Sequence, residues 1–395
     1  MLAGLLGKIQ RRVATLRRRA GLTSRTRVTT KTGQASVAAD QVNGGSAAVM
    51  AGAVMAGAVT TDAVTTDYDV RIAQEIANYK EVANVHDLPD IFHYWSNKYL
   101  APMMAELGIT GIDDFFASNL LQAAHDCGHD PARFVSIGAG NCDTEIRIAK
   151  LLVQRGLRHF KFECLELNPH MLDRGRRDAL SEGVAEHMVF IKADFNTWQP
   201  SATYTGVMAN HSLHHVVNLE GLFDGVKQSL DPRGRFVVSD IIGRNGHQRW
   251  PEALSRVNEF WQQLPRAYRY NRLLQRQEDT YINWDCSTEG FEGIRAQDIM
   301  PLLVERFNFQ MFFGFANIVS IFVDRAFGHN FNATADWDRQ FIDRIHQADE
   351  QAFKSGELKP AQMLAVMCSG PIETRQFLRG LTPEGSIRWP EGVSA

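Results

Sequence analysis

Phe134-Val-Ser-Ile-Gly-Ala-Gly-Asn-Cys-Asp143 is a short β-branched run that breaks into a glycine-spaced turn. Helical spacing follows at once, with Ile146, Ile148, Ala149, Leu151 and Leu152 set among polar residues. Gly138 and Gly140 let the backbone turn tightly and approach a ligand with no Cβ in the way. A strand, a glycine turn and a helix in this order build the crevice that open α/β sheets offer at the carboxyl ends of their strands. Gly-x-Gly alone is common to many loops. The third glycine of the dinucleotide fingerprint is also missing: counting from Gly138, the sixth position is Asp143, preceded by Cys142. That departure argues against a pyrophosphate on the helix start, and so against NAD or FAD.

The downstream pattern adds weight. Lys161-Phe-Glu-Cys-Leu-Glu166 reads as a second strand with a carboxylate at its end, where it can accept both hydroxyls of a ribose. Met188 to Asp194 reads as a third strand, again ending in a carboxylate. Tyr204 to Asn210 is a fourth, running into His211-Ser-Leu-His-His215. Gly234 to Asp240 is a fifth, entered through Asp231-Pro-Arg-Gly234.

With these residues the chain resembles a class I S-adenosylmethionine-dependent methyltransferase. The resemblance runs from about Ile91 to Phe331 and is most specific from Arg133 to Ile241. It implies a Rossmann-like, doubly wound, mostly parallel seven-stranded sheet whose last strand is antiparallel, and S-adenosyl-L-methionine as cofactor. It places the methionine and ribose part of the cofactor on Ser136, Gly138, Gly140 and Asn141, and the ribose hydroxyls on Glu166 with Leu167 beside it. The adenine falls on Asp194 and Phe195, and the site closes near the sulfonium with Asn210 and His211. Two departures stand out. The family usually carries an acid two residues before the first glycine, where this chain has Ser136, and its third glycine is Cys142 here.

His214 and His215 are candidate catalytic residues, since an imidazole near the methyl group can take a proton from an acceptor. Between Ile241 and Gln297 the chain inserts roughly 50 residues where a bare sheet needs only a short connection. This insertion, 242–296, is rich in Arg, Tyr, Trp and Asn, and the resemblance implies a substrate cap. Arg249, Tyr268, Trp284 and Glu289 are its candidate acceptor-binding residues. No metal is expected: His125-x-Cys127-x-His129 has ligand-like residue types but no second half.

The flanks differ from this core. Residues 1–67 begin with nine Lys and Arg before any acid, and Leu2, Leu5, Leu6, Ile9, Val13 and Leu16 share a helical face. The segment reads as a poorly ordered basic terminus whose first 20 residues can touch an anionic membrane surface weakly. Its basic residues break up any secretory apolar core. The repeat Ala48-Val-Met-Ala-Gly, Ala53-Val-Met-Ala-Gly, Ala58-Val-Thr-Thr-Asp, Ala63-Val-Thr-Thr-Asp67 reads as a linker. Residues 68–130 read as a helical region covering the cofactor, with Tyr94, Trp95 and Tyr99 as candidates to fold over it. The catalytic domain is expected over 131–330, closing with strands at Phe309–Gly314 and Ile318–Val323. A helical extension and tail are expected over 331–395.

A chain of 395 residues, 44% hydrophobic, can bury a substantial core, and a net charge of −3 makes it no general nucleic-acid binder. Five widely spaced cysteines suit reduced thiols in a cytoplasmic protein. The expectation is methyl transfer to a small-molecule or sugar acceptor, most readily at oxygen. The alternatives are a non-catalytic cofactor-binding or membrane-associated regulator and, disfavoured by the missing glycine, an NAD-dependent oxidoreductase.

Overall fold

Parallel strands buried on both faces need near-continuous apolar runs, and the central strands have them. The computed structural model describes residues 67–79, 88–288 and 290–390. The basic terminus, the pentapeptide repeat before Asp67, and Glu289 lie outside the described residues. β1 (Ala132–Ile137), β2 (Phe160–Glu166), β3 (Met188–Lys192), β4 (Tyr204–Asn210) and β5 (Leu230–Ile241) are joined in parallel. β8 (Asn308–Phe315), β9 (Gln362–Cys368) and the two-residue β10 (Gln376–Phe377) complete one sheet in the order β10-β8-β9-β5-β4-β1-β2-β3. A separate two-residue hairpin, β6 (Tyr270–Asn271) and β7 (Arg276–Gln277), lies in the insertion after β5.

Alternation along each strand sends its side chains to two cores. Phe134, Phe162, Met208, Val237 and Val366 join one face, packed against α4 (Ile112–Cys127) and α5 (Asp143–Gln154). Val135, Ile137, Val207, Phe236 and Ala365 join the other, packed against α7 (Leu219–Ser229) and α9 (Ile299–Arg306). α6 (Pro169–Ser181) links β2 to β3 and α8 (Pro251–Gln263) lies in the insertion. Ahead of β1 come α1 (Asp67–Tyr79), α2 (Asp90–Trp95) and, through a π turn over Ser96–Leu100, α3 (Ala101–Glu106). No described helix is long and apolar enough to cross a membrane.

The mostly parallel α/β architecture matches expectation, with eight strands rather than seven. The closing strands differ in place. Ile318–Val323 is no strand: Val319–Val323 is a short helix, α10. Ala316 takes a left-handed turn (φ 51°) out of the sheet. The buried Asp349 carboxylate then receives the N–H groups of Asn317, Ile318 and Val319 at 3.0, 2.8 and 3.0 Å. A tertiary cap thus overrides the β propensity of an Ile/Val/Phe run. Asp349 stands on α11 (Asp336–Ser355), the long helix expected after 331. That same C-terminal stretch also supplies β9, the sheet's antiparallel strand, seated between β5 and β8. Of the helical extension and tail expected over 331–395, the long helix stops at Ser355, and the stretch after β9 carries the edge strand β10.

Tyr94, Trp95 and Tyr99 do not fold over the site. The hydroxyls of Tyr94 and Tyr99 donate to Asp343 at 3.0 and 2.7 Å, and the buried Trp95 ring packs against His346, both on α11.

Removing one oxygen of the α10 cap tests this account. In Asp349→Asn an amide N–H replaces an acceptor and faces a buried backbone donor. A destabilisation of about 2–4 kcal/mol is expected in urea unfolding. A loss below about 1 kcal/mol would show that the cap does not hold the chain out of the sheet.

Candidate active site

The sheet reverses direction of winding between β1 and β4, and the crevice outside their carboxyl ends is where such folds bind ligands. Gly138 sits there at φ +72°, and a Cβ on it would come within 2.5 Å of Ser212 Cβ. Gly140, also left-handed, donates its N–H to Glu166 Oε2 at 2.9 Å, while Glu166 Oε1 receives Asn168 N–H at 2.9 Å. Glu166 thus ties the glycine turn to the start of α6. The two departures in this loop are each offset. Cys142 takes a left-handed φ of 62°, and its side chain has room because Gly175 of α6 faces it: a Cβ there would stand 3.0 Å from that of Cys142. Ser136 donates at 2.7 Å to Glu145, a buried acid from the first turn of α5.

A cavity of about 60 Å³ opens on this loop. Gly138, Gly140, Glu166, Leu167, Asp194, Phe195, His211 and His215 line it, as do five groups that sequence reasoning missed: Tyr68, Met171, Asn196, Ser212 and Phe291. Ser136, Asn141 and Asn210 are not on this lining. Ser136 points to Glu145, and Asn141 Oδ1 accepts from Arg174 Nε at 2.8 Å. Asn210 Oδ1 is buried without a hydrogen bond. Tyr68, at the start of α1, donates to both oxygens of Asp194 at 2.9 and 2.7 Å and packs 5.5 Å from the Phe291 ring. Arg71 holds the same helix to the Gly290 carbonyl at 2.8 Å. Burial and the Asp194 carboxylate push the Tyr68 hydroxyl well above its ordinary range.

Beside the cavity lies a buried charged group. Asp240 ends β5 and receives Ser212 N–H at 3.0 Å, Leu213 N–H at 2.8 Å and the His214 ring at 2.5 Å through Nδ1. His214 is fully buried, with Nε2 3.4 Å from Glu292. Glu292 also meets His215 at 3.8 Å and His247 at 2.7 Å. Burial opposes a charge on His214, but the carboxylates on either side outweigh it and push its pKa up to about 9. Burial likewise works against ionised Asp240 and Glu292, yet the imidazoles hold both below the usual carboxylate range. For His247 burial prevails, and its pKa falls. Of the two candidate catalytic histidines, only His215 reaches the cavity.

The insertion after β5 forms one side of a second cavity, of about 150 Å³, whose other side comes from residues 320–327 and 361–362. Arg249 and Trp284 line it, together with His247, Glu278, Tyr281 and Asp324. The buried Arg249 donates to Ser320 Oγ at 2.6 Å and to the His247 carbonyl at 3.0 Å, while its Nε is buried without a hydrogen bond. Burial pushes the Asp324 carboxyl up to about 6. Tyr268 is placed elsewhere: it donates to Asp338 at 2.7 Å and packs on Phe331 and Trp337, away from this lining. His247 lines the cap cavity, His215 lines the glycine-loop cavity, and Glu292 bonds one and faces the other, so this group stands between the two spaces.

Three kinds of comparison bear on the chain. The sequence model of the methyltransferase domain family matches residues 111–296. No curated protein matches the sequence. Among solved structures, an O-methyltransferase of a trans-AT polyketide synthase multienzyme from Brevibacillus brevis, in complex with S-adenosyl-L-homocysteine, is similar at 12% identity and TM-score 0.39. The match covers 77% of this chain and 93% of that one. A putative sarcosine dimethylglycine methyltransferase from Galdieria sulphuraria is similar at 13% identity and TM-score 0.38, over 65% of this chain and 85% of that one. Geranyl diphosphate C-methyltransferase from Streptomyces coelicolor A3(2) is similar at 12% identity and TM-score 0.35, over 63% and 77%. At such identities and TM-scores these likenesses carry no functional argument. The domain match covers the glycine loop, the acidic strand ends and the buried histidines together, and on it the chain carries a methyltransferase domain over residues 111–296.

Proposed function

We propose that the protein transfers the methyl group of S-adenosylmethionine to an oxygen of a small molecule or sugar held under the cap. The observation that carries this reading is the pair of cavities on either side of one histidine–carboxylate group. One cavity is floored by the glycine loop and walled by two strand-end carboxylates. The other is bordered by the insertion that leaves β5 at the crevice mouth.

Glu166 would accept the ribose hydroxyls and Asp194 the adenine amino group, with Leu167, Phe195 and Met171 against the apolar parts. The turns at Gly138 and Gly140 leave room for the methionine portion, and His211 borders the sulfonium end. Methyl transfer is an in-line displacement at carbon, with the leaving sulfur already activated. Positioning therefore counts for more than strong acid–base chemistry. His215 is the histidine that would meet the acceptor. His214, closed off from both cavities, positions it through Glu292. Arg249, Trp284 and Asp324 would orient the acceptor in the cap cavity, where an arginine and a carboxyl together suit a polar ligand. Weak contact of residues 1–20 with an anionic membrane surface remains part of this proposal, and vesicle co-sedimentation of full-length and shortened chains tests it.

Glu166→Ala removes two charge-assisted bonds and should weaken S-adenosylmethionine binding at least about tenfold in calorimetry, on the order of 2–4 kcal/mol. Unchanged affinity would take Glu166 out of the site. Tyr68 now satisfies Asp194, so the adenine amino group must displace its hydroxyl. Tyr68→Phe should accordingly tighten binding about fivefold, the value of one net hydrogen bond. Looser binding would instead make Tyr68 a direct cofactor contact.

Trp284→Ala should lower turnover while leaving cofactor affinity within about twofold, because the cap cavity serves the acceptor alone. A parallel loss of cofactor affinity would assign both cavities to one ligand.

A further inference from the structure

Three imidazoles converge on one buried carboxylate in a wall between two cavities, an arrangement that a methyltransferase cofactor site does not require. We propose that His214, His215 and Glu292 bind a divalent transition-metal ion. Their ligating atoms all lie within 4.8 Å of one another. His214 Nε2 is 3.4 Å and His215 Nε2 is 3.8 Å from the carboxylate oxygens of Glu292. Ligands of a tetrahedral ion with bonds of 2.0–2.1 Å stand about 3.3 Å apart, so the two histidine–glutamate approaches are near that spacing and the widest pair would close by up to about 1.5 Å on binding.

The surroundings are those of a supported metal site. Asp240 fixes the His214 ring through Nδ1 at 2.5 Å and so turns Nε2 toward Glu292. That Nε2 is buried and makes no hydrogen bond. A carboxylate behind a ligating histidine is the usual way a protein sets tautomer and ring orientation. His247, 2.7 Å from Glu292 Oε1, supports the carboxylate in the same manner. Charge points the same way. The Asp240 and Glu292 side chains are 0% and 3% exposed, and a divalent cation balances two carboxylates where a single imidazolium balances one. Two imidazoles and one carboxylate suit zinc, iron, cobalt or nickel, whereas magnesium and calcium prefer oxygen ligands throughout.

The ligands come from the turn after β4 and from the cap, so the ion would pin the cap to the sheet. Its remaining coordination positions would open past His215 into the glycine-loop cavity. If methyl transfer occurs beside His215, where the proposed function has the acceptor meet the cofactor cavity, an acceptor hydroxyl reaching the ion would lose its proton to solvent more readily. The oxygen then attacks the methyl carbon, and the electron pair of the breaking C–S bond stays on sulfur, leaving a neutral thioether.

Metal binding is measured without cofactor or acceptor, so its failure is distinct from failure of the methyl-transfer reading. Full-length protein is stripped with a chelator, dialysed and titrated with Zn²⁺, Co²⁺ and Mg²⁺ by calorimetry, with visible spectra for Co²⁺. One equivalent of Zn²⁺ or Co²⁺ should bind at micromolar Kd or tighter, at least about a hundredfold tighter than Mg²⁺, with Co²⁺ bands of a four- or five-coordinate ion. His215→Ala, at the cavity edge, and the isosteric Glu292→Gln should each weaken binding at least about tenfold, with circular dichroism confirming an intact fold. No stoichiometric binding would overturn the proposal. So would binding that both variants leave unchanged, which would mark an adventitious ion only.

Discussion

Asp240 is the group on which the rest of the site depends. A carboxylate with no exposure to water costs several kcal/mol unless its oxygens are fully engaged. Here they receive three backbone N–H groups and one imidazole, all but the Ile241 N–H from the turn after β4. The carboxyl ends of β4 and β5 are thereby stapled at the point where the sheet reverses its winding. That turn also carries Ser212, whose Oγ donates to the Ile137 carbonyl at 2.6 Å and whose Cβ leaves no room for a side chain at position 138. The glycine loop is shaped from behind by a residue 75 positions beyond Ile137.

The same electrostatics position the cap. His214 carries the influence of Asp240 to Glu292, and Glu292 gathers His215 and His247. A buried carboxylate on the insertion is tolerable only while those imidazoles face it, so closing the cap and assembling the histidine group are one event. The left-handed turns at Gly246 and Gly293 allow it: the Gly246 N–H donates to the Gly293 carbonyl at 2.8 Å, where a Cβ on Gly293 would press within 3.1 Å of the Gly246 nitrogen. Helix α1 closes the other side of the glycine-loop cavity through Arg71 and Tyr68.

Local signals were readable where a residue's role depends on its own segment. The glycine turn and the acids at 166 and 194 follow from strand periodicity and punctuation within a few positions, and all of them line the cavity. Residues whose role is set by a distant partner were not. Ser136 and Asn141 stand in the right loop but face Glu145 and Arg174. The aromatics at 94, 95 and 99 look like a lid by composition, yet α11 claims them. Tyr68 and Phe291 carry no local mark of binding. Glu145 did leave a trace, an acid in the first turn after the glycine loop. Gly175 left another, a small residue in α6 facing the position where the family's glycine is missing.

Ile318–Val323 shows the limit most clearly. Its β-branched run favours a strand, and only the Asp349 carboxylate, folded back from a helix some thirty residues on, makes it a helix. The strand that takes its place at the centre of the sheet, Gln362–Cys368, is fully buried between β5 and β8, and its apolar residues read equally well as helix or strand. The sequence by itself determined the class of fold, the glycine-loop crevice and the acidic strand ends, because these follow from periodicity and backbone stereochemistry within short windows. Tertiary structure alone decided which strand closes the sheet, which histidine reaches the cavity and where the cap's carboxylate is buried. Those outcomes turn on the cost of leaving charges and N–H groups unpaired away from water, and their partners are brought together only when the chain has folded.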